Sequence, residues 1–377
     1  MKILLVSNMY PSEQFPSYGV FVQNTEAILQ AEGFEVDRAV MTKQTSKAAK
    51  AKAYAAHYAN IIRKGLTGGY DFIYVHYAAH NAFPLLQLKK LKPSVRIVTN
   101  VHGSDVVPEV ASQEKFQPNV KRLLQQSTAV ITPSRYYEGL VKEKYGITNP
   151  IHIFPSGGVN AEIFRPQPDR KNAQLNELGL DPAYRYFGYV GRMDVGKGWD
   201  HLLNGFKRYV DAHPQEQQRT RLIMVGSGKD DASFFALRKQ LGLEELVIHF
   251  PLMKHADLAK VYNVIELFIF PTTRKGESLG LVGLEAMACG TPILASRIGG
   301  ILDYVEDGKN SWLFEPGNPE ALATGLAHFN NLMPEQQAAV SAAALQTSGE
   351  YELSNVRPKL SAIFNQLSLL TKEDSSS

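Results

Sequence analysis

Short apolar runs alternate with longer amphipathic segments along most of this 377-residue chain. Apolar runs separated by helical segments are typical of a parallel α/β sheet, because parallel strands need a long crossover connection. The rhythm occurs in two series: residues 3–7, 72–76, 96–101, 129–132 and 151–154, and then residues 186–190, 221–225, 246–250, 267–270, 292–295 and 312–314. We therefore predict an α/β protein with two doubly wound domains.

A stretch rich in Gly, Pro and Asn, residues 156–169, separates the two series and has the composition of a linker. A chain of 377 residues also exceeds the usual size of a single core. We predict an N-terminal domain over residues 1–160 and a C-terminal domain over residues 161–350. Apolar side chains at helical spacing predict a further helix over about residues 351–370.

Basic side chains are concentrated in the first domain. The whole chain has a net charge of +3, whereas residues 1–150 hold 18 Lys and Arg against 11 Asp and Glu. Residues 38–70 contain seven of these basic side chains and no acidic one. One hypothesis is that this stretch, which has helical spacing, lies on an anionic membrane surface. A solvated basic helix explains the same pattern equally well.

The first apolar run and the cysteine content indicate the compartment. The first apolar run, residues 3–6, has only four positions, which is too few for a signal sequence or a membrane span. The single cysteine, Cys289, cannot form an internal disulfide. We expect a cytoplasmic protein, and the membrane hypothesis would place it peripherally on the inner face of the membrane.

A glycine-rich turn follows the run at residues 186–190. It reads Gly-Arg-Met-Asp-Val-Gly-Lys-Gly over residues 191–198 and opens a helical segment. Arg192 and Lys197 would neutralise phosphate oxygens there, and the glycines permit close approach of the backbone. The turn is a candidate diphosphate site, and a solvated basic loop is the alternative.

Two carboxylates flank an uncharged segment after the run at residues 267–270. Glu277 lies in the predicted loop and Glu285 inside a helix that begins near Gly280. A carboxylate accepts two adjacent sugar hydroxyls, and the free helix-start amides of residues 278–281 offer donors. A helix-entry charge and a surface residue are the alternatives, but the small apolar neighbours of Glu285 favour a bound or paired carboxylate. We predict sugar recognition, with donor contacts from Glu277, Ser278, Leu279, Gly280, Leu281 and Glu285.

The first domain places polar groups and a glycine at the predicted strand ends. His102 and Asp105 follow the run at residues 96–101 and are candidates to meet a reacting sugar. Gly19 directly precedes a helical segment and would let backbone amides approach a phosphate. Tyr18 and Asp105 are our candidates for the acceptor side. A lone His-Gly pair is otherwise often a simple turn.

Several common motifs are missing from the sequence. There is no Asp-x-Asp triplet, so we predict a metal-independent reaction without a cofactor. There is also neither a Gly-x-Gly-x-x-Gly after the first apolar run nor a P-loop, which argues against a dinucleotide dehydrogenase and a P-loop enzyme. We expect no nucleic acid partner.

The motifs together resemble those of the GT-B glycosyltransferases of family 4. The most specific match is Glu277 with seven residues before Glu285, followed by Ala-Met-Ala. The resemblance implies two facing Rossmann-like domains with an interdomain cleft, and a terminal helix that completes the first domain. It implies that Arg192 and Lys197 bind the donor diphosphate, Glu277 the donor sugar and Glu285 the ribose. His102 would lie beside the donor sugar, and Gly19 would border the departing phosphate.

The resemblance predicts a retaining, metal-independent hexosyltransferase with His102, Glu277, Arg192 and Lys197 as its catalytic residues. Its partners would be a nucleotide-sugar donor, with UDP favoured by family frequency, and a glycan or lipid-linked acceptor. Two other classes remain open. One is a noncatalytic sugar-nucleotide-binding partner of another transferase, and the other is a GT-B epimerase or phosphorylase.

Overall fold

A computed structural model describes residues 1–16, 18–155 and 157–373 of the chain. Two compact units share these residues. Unit 1 consists of residues 1–157 together with the segment from residue 354 onward, and unit 2 consists of residues 158–353. The chain therefore leaves unit 1 once and returns to it through the last helix.

Unit 1 is a six-stranded parallel sheet with helices on both faces. Its strand order is β2-β1-β3-β4-β5-β6. Its elements are β1 (Lys2–Tyr10), α1 (Val20–Ala31), β2 (Glu35–Thr42), α2 (Lys47–Thr67), β3 (Phe72–His76), α3 (Ala78–Leu91), β4 (Ile97–Asn100), α4 (Ala111–Glu114), α5 (Gln117–Gln126), β5 (Ala129–Thr132), α6 (Arg135–Tyr145) and β6 (Ile151–Ile153).

Alternate side chains of the central strands feed two separate apolar layers. On β1, Leu4 and Val6 pack in one layer while Ile3 and Leu5 pack in the other. Both faces are buried because helices cover a parallel sheet on either side, which explains why these strands are continuous apolar runs. The last helix belongs to the second layer, where the ring of Phe364 lies 5.1 Å from that of Tyr74.

The second strand corrects the interpretation of residues 38–70. Residues 38–42 belong to β2 and not to a helix, and the helix begins only at Lys47. β2 is an edge strand, so it needs fewer apolar side chains than β1. Two of the seven basic side chains are also neutralised, because Arg38 pairs with Glu26 at 2.6 Å and Lys64 with Asp37 at 2.6 Å.

Unit 2 repeats the architecture with the strand order β12-β11-β10-β7-β8-β9, again parallel. Its elements are α7 (Lys171–Glu177), β7 (Arg185–Val190), α8 (Trp199–Ala212), α9 (Pro214–Arg219), β8 (Thr220–Val225), α10 (Asp231–Gln240), β9 (Val247–Phe250), α11 (His255–Val264), β10 (Leu267–Phe270), α12 (Leu281–Ala288), β11 (Ile293–Ser296), β12 (Trp312–Phe314), α13 (Pro319–Asn330) and α14 (Pro334–Gly349). α15 (Leu353–Glu373) then leads back to unit 1.

The strand orders show where a ligand site is expected in each unit. Sequential strands run outward in opposite directions from the β1–β3 neighbours in unit 1 and from the β7–β10 neighbours in unit 2. Ligands of doubly wound sheets bind outside the carboxyl ends of strands at such switch points. Ligand sites are therefore expected at the segments that follow Val190 and Phe270 in unit 2. In unit 1 they are expected at the segments that follow Tyr10 and His76. No helix in the described part of the chain is long and apolar enough to cross a membrane.

Candidate functional site

The glycine-rich turn after β7 is held tightly against the segment that follows β10. Gly198 precedes α8 with φ of 75°, and a Cβ there would lie 1.8 Å from the carbonyl oxygen of Pro271. The backbone amide of Thr273 donates to the carbonyl of Gly196 at 2.9 Å. Only glycine at position 198 allows this approach, so the turn and the segment after β10 form one surface.

Arg192 projects from this turn and is oriented by an aspartate. Its guanidinium lies 2.6 Å from the carboxylate of Asp194, and 61% of its side chain is exposed. The other oxygen of Asp194 accepts the backbone amide of Lys229 at 2.9 Å. Asp194 therefore ties the loop after β8 to the arginine. Asp194 was not a predicted site residue, although an acidic residue inside a basic glycine-rich turn was a visible signal.

Lys197 and Glu277 form an ion pair in a partly enclosed place. The ammonium of Lys197 lies 3.0 Å from Oε2 of Glu277, and the side chains are only 17% and 12% exposed. The hydroxyl of Thr272 donates to the same carboxylate oxygen at 3.1 Å. The two residues had been predicted as contacts to different parts of one ligand, and the structure brings their charged ends together.

The segment from Glu277 to Leu281 is braced from below by two glycines. A Cβ on Gly300 would lie 1.8 Å from the carbonyl oxygen of Ser278, and Gly300 donates its amide to the carbonyl of Glu277 at 3.1 Å. Gly299 and Gly300 were not predicted site residues, and their signal was a glycine pair shortly after β11. Because they have no side chain, the loop that carries Glu277 lies directly against their backbone.

The start of α12 offers main-chain donors. Gly280 caps the helix with φ of 77°, which favours glycine there. Within the described chain, the backbone amides of residues 278–281 form no hydrogen bond. The side chain of Leu279 is 2% exposed, so only its main chain is available to a ligand. These amides and the helix dipole favour an anion or a hydroxyl oxygen.

Glu285 lies on α12 in a shielded environment. The hydroxyl of Tyr262 on α11 donates to its carboxylate at 3.2 Å. Burial raises the pKa of Glu285 to about 7, and the bond from Tyr262 opposes that shift. Burial, followed by the nearby Glu285, also raises the pKa of the Cys289 thiol to about 12. Glu285 is thus a carboxylate that is unusually easy to protonate and that would gain from further hydrogen-bond donors.

In unit 1, Gly19 stands where the backbone of β1 and the start of α1 meet. It has φ of 80°, and a Cβ there would lie 2.6 Å from the carbonyl carbon of Met9. The hydroxyl of the adjacent Tyr18 reaches the carbonyl of Asn8 at 3.5 Å, and burial raises the pKa of Tyr18. Gly19 therefore brings the first amides of α1 close to the end of β1.

His102 is held in a hydrogen-bonded pair with a second histidine. Its Nε2 lies 2.9 Å from Nδ1 of His76, and the ring centroids are 5.0 Å apart. Burial lowers the pKa of His102 to about 3, and burial followed by the charge of His102 lowers that of His76 well below its usual value. Both rings are neutral near pH 7. His76 was not a predicted site residue, and its position at the end of β3 was the only signal.

Asp105 lies in a different environment from the predicted acceptor contact. It is fully buried, and its carboxylate accepts the backbone amides of His102, Gly103 and Ala78 at 2.9 to 3.0 Å. Burial raises its pKa, while these amides oppose the shift. The carboxylate thus holds the loop after β4 to the start of α3. This makes Asp105 a residue that positions His102.

The two switch-point surfaces and the paired parallel sheets define a class of protein. Sucrose-phosphate synthase from Thermosynechococcus elongatus has a similar fold, with a TM-score of 0.79 and 20% identity over 97% of this chain and 99% of that one. The Anabaena protein HepE in complex with UDP-glucose is similar with a TM-score of 0.74 and 18% identity over 97% of this chain and 100% of its own. The chain therefore has the GT-B fold, which confirms the predicted fold class.

Sequence comparison defines the family. Residues 19–160 match "Glycosyltransferase Family 4", and residues 170–346 match "Glycosyl transferases group 1". This chain therefore belongs to the family 4, group 1 glycosyltransferases, as the motifs predicted.

Two curated relatives are D-inositol 3-phosphate glycosyltransferases. The one from Thermobispora bispora is 29% identical over 79% of this chain and 71% of its own length. The one from Segniliparus rotundus is 32% identical over 71% of this chain and 58% of its own. The similarity to these relatives therefore leaves a substantial part of their length unmatched.

Proposed function

We propose that this glycosyltransferase moves a hexosyl unit from a UDP-sugar to an acceptor hydroxyl with retention of configuration at the anomeric carbon. The observation that carries the proposal is the Lys197–Glu277 pair at 3.0 Å, which lies beside the unbonded amides of residues 278–281. A cation, a carboxylate and main-chain donors at one switch point match the charges and hydroxyls of a nucleotide-sugar.

The donor contacts divide by charge. Arg192 and Lys197 neutralise the diphosphate, and the amides of residues 278–281 donate to it or to the sugar. Glu277 accepts hydrogen bonds from the sugar hydroxyls, and Glu285 accepts those of the ribose. When the donor binds, Lys197 pairs with the diphosphate in place of Glu277. The carboxylate of Glu277 then accepts hydrogen bonds from the sugar at the same site.

The chemistry then needs no protein nucleophile. The acceptor hydroxyl attacks the anomeric carbon on the face from which the diphosphate leaves. The bond from the anomeric carbon to the phosphate oxygen breaks, the bond to the acceptor oxygen forms, and the acceptor proton passes to a phosphate oxygen. The protein stabilises the charge that grows on the diphosphate, through Arg192, Lys197 and the helix-start amides.

Unit 1 supplies the groups around the reacting sugar. His102 lies beside the donor sugar, and Gly19 lets the first amides of α1 border the departing phosphate. Asp105 acts on His102 through the backbone amides that it accepts. Tyr18, next to Gly19, faces the acceptor in this proposal.

The acceptor that we propose is a glycan or a lipid-linked glycan precursor at an anionic membrane surface. Support comes from α2, whose first two turns carry Lys47, Lys50 and Lys52, all exposed and without an ion pair among the described residues. The tyrosines of its next turns, Tyr54 and Tyr58, turn inward instead, because their hydroxyls bond to Asn8 and to the carbonyl of His80. The support is therefore the exposed cations alone, which favour anionic headgroups.

The proposal is tested by incubating the protein with UDP-hexoses and an acceptor panel, with and without EDTA. The panel includes lipid-linked glycans and D-inositol 3-phosphate, the latter because of the names of the relatives. We expect glycosidic product from a UDP-hexose at an unchanged rate in EDTA, since cationic side chains supply the charge. Dependence on a metal would contradict the charge assignment. Turnover that requires orthophosphate would indicate a phosphorylase instead.

A further inference from the structure

The histidine pair of unit 1 contains one residue, His76, that has no role in the proposed reaction. His76 is the last residue of β3, and His102 follows the neighbouring strand β4. His76 is fully buried, and its Nδ1 lies 2.9 Å from Nε2 of His102. The planes of the two rings are inclined by only 19°. A hydrogen bond at this distance between two neutral imidazoles needs one proton, on one of the two nitrogens.

The outer nitrogens of the pair lie in different environments. Nε2 of His76 is buried and has no hydrogen-bond partner among the described residues, and the ring centroids of His76 and Tyr74 are 4.5 Å apart. His102 is a partly exposed residue, and its Nδ1 forms no hydrogen bond within the described chain. The backbone amide of His102 is fixed by Asp105. His102 is thus held at both its backbone and its inner nitrogen, and only Nδ1 is free to meet a ligand.

The shared proton has two arrangements with different consequences. If Nε2 of His102 carries it, the buried outer nitrogen of His76 must carry a proton that meets no acceptor in the described part of the chain. If Nδ1 of His76 carries it, the buried outer nitrogen of His76 is a bare lone pair, and Nδ1 of His102 is an N–H. Among buried backbone groups, an N–H without a partner is rarer than an under-satisfied acceptor, and we apply the same preference to the ring nitrogens. The second arrangement also puts the proton where solvent and substrate reach it.

We propose that His76 is a positioning residue that donates from Nδ1 to His102 and thereby fixes His102 in the Nδ1–H tautomer. The partly exposed nitrogen of His102 is then a hydrogen-bond donor aimed at an oxygen of the donor substrate. This inference rests on the proposed function, which places His102 beside the donor sugar. A free imidazole in water prefers the Nε2–H tautomer, so the pair holds His102 in the form that is less favoured in isolation.

A pair of substitutions separates positioning from a structural role. His76→Phe keeps a buried aromatic ring and removes both nitrogens, whereas His76→Asn puts an amide N–H at the position of Nδ1. We expect kcat to fall about 10- to 100-fold in the Phe variant with little change in the donor KM, as for other residues that orient a ligand through a hydrogen bond. The Asn variant should recover most of the loss.

The stability of the Phe variant separates the two roles. This variant loses the bond to Nε2 of His102 but no longer buries an unpaired nitrogen, so its unfolding midpoint should stay close to that of the wild type while kcat falls. A structural histidine would give lower stability together with lower activity. Wild-type kcat in the Phe variant would overturn the proposal.

The tautomer itself is read from nitrogen NMR of protein with labelled histidine, with His102 assigned by its loss in His102→Gln. We expect His102 of the wild type near pH 7 to carry its proton on Nδ1, and the Phe variant to show a mixture. Wild-type His102 with its proton on Nε2 would overturn the proposal. This measurement needs only the wild type, so it holds even if the Phe variant fails to fold. The predicted tautomer in a protein that cleaves no nucleotide sugar would support the pair and contradict the proposed function.

Discussion

At the scale of single residues, the donor site depends on charges that are already paired before a donor binds. Lys197 and Glu277 are mostly enclosed, and a single charge left there would be poorly solvated. Arg192 is instead largely exposed and held by Asp194. The enclosed lysine should therefore matter more for bond breaking than the exposed arginine, because its field is screened less by water.

Replacing Lys197 with Ala should slow turnover far more than it weakens binding of the acceptor. The negative charge on the diphosphate grows as the glycosidic bond breaks, so the loss falls on the transition state. By analogy with oxyanion donors, kcat should fall by about 10²- to 10³-fold. Steady-state kinetics with a UDP-hexose measures this.

Lys207→Ala is the matched control for that substitution. It removes a lysine of the same unit whose ion pair with Asp211 is exposed and lies at 2.5 Å. The control should keep wild-type kinetics, since exposed pairs of this kind contribute little. Equal kcat in Lys197→Ala and Lys207→Ala would refute the role of Lys197.

Glu285 should make donor binding depend on pH. Its pKa is about 7 without a donor, and ribose hydroxyls donate to the ionised form. Affinity for a UDP-sugar should therefore fall as the pH drops below 7, toward about tenfold for each further unit. Calorimetric titration of a UDP-sugar between pH 5.5 and about 8 measures this, because its esterified diphosphate does not titrate in that range.

Glu285→Gln is the control for the pH series. Its affinity should be lower near pH 8 and flat with pH. In the free protein the raised pKa means that the folded chain holds this proton more tightly than the unfolded chain does. Ionisation of Glu285 should therefore lower the free energy of unfolding as the pH rises from about 4.5 to about 7, and Glu285→Gln should lack this contribution. A pH-dependent affinity in the Gln variant would show that another group is responsible.

At the scale of elements, most strands and the loop after β10 could be predicted, because buried parallel strands are apolar on both faces. β2 was not predicted, because Asp37 and Arg38 interrupt its apolar side chains, as an edge strand allows, and leave only Ala39 to Met41 in succession. The ion pair between Lys197 and Glu277 was also beyond the sequence. The two residues are 80 positions apart and meet only because β7 and β10 are neighbours in the sheet. The same holds for His76 and His102 on β3 and β4.

The turn between β7 and α8 should tolerate no side chain at Gly198. In Gly198→Ala the Cβ would overlap the carbonyl oxygen of Pro271, and φ is positive. We expect the free energy of unfolding to fall by about 3 kcal/mol or more from the steric clash and the backbone strain combined. Denaturant unfolding gives the value.

Gly242→Ala isolates the backbone component of that loss. Gly242 has φ of 65° and open space around its missing side chain. Its replacement should cost about 1 to 2 kcal/mol, from the left-handed conformation alone. Similar losses in the two variants would mean that the turn after β7 relaxes and is not held against the segment after β10.

The first turns of α2 should determine membrane binding. We expect the wild type to sediment with vesicles that contain anionic lipid and to be released at high salt, through screening. Exchanging Lys47, Lys50 and Lys52 for Glu should abolish this. The same exchange at the exposed Lys239, Lys254 and Lys309 of unit 2 changes the net charge equally and should preserve it. Binding to neutral vesicles, or equal loss in both variants, would count against the membrane proposal.

At the scale of the whole molecule, the two units share one architecture and bring different chemistry. Unit 2 carries the cations and the shielded carboxylates of the proposed donor site. Unit 1 carries the neutral histidine pair and the lysines of α2. Their motifs resembled family 4 before any contact was known, because the spacing from Glu277 to Glu285 follows from one loop and one helix. What the sequence left open is the identity of the sugar and acceptor, which depends on pocket shape.

In the proposed reaction, this protein cleaves a UDP-hexose with retention of configuration at the anomeric carbon. The most direct measurement is real-time proton NMR of nucleotide sugars with UDP, GDP or ADP as the carrier, without acceptor. We expect UDP release from an α-linked UDP-hexose, with the α-anomer of the free sugar appearing first, and much slower release in Lys197→Ala. A β-anomer formed first, or no cleavage of any donor, would contradict it.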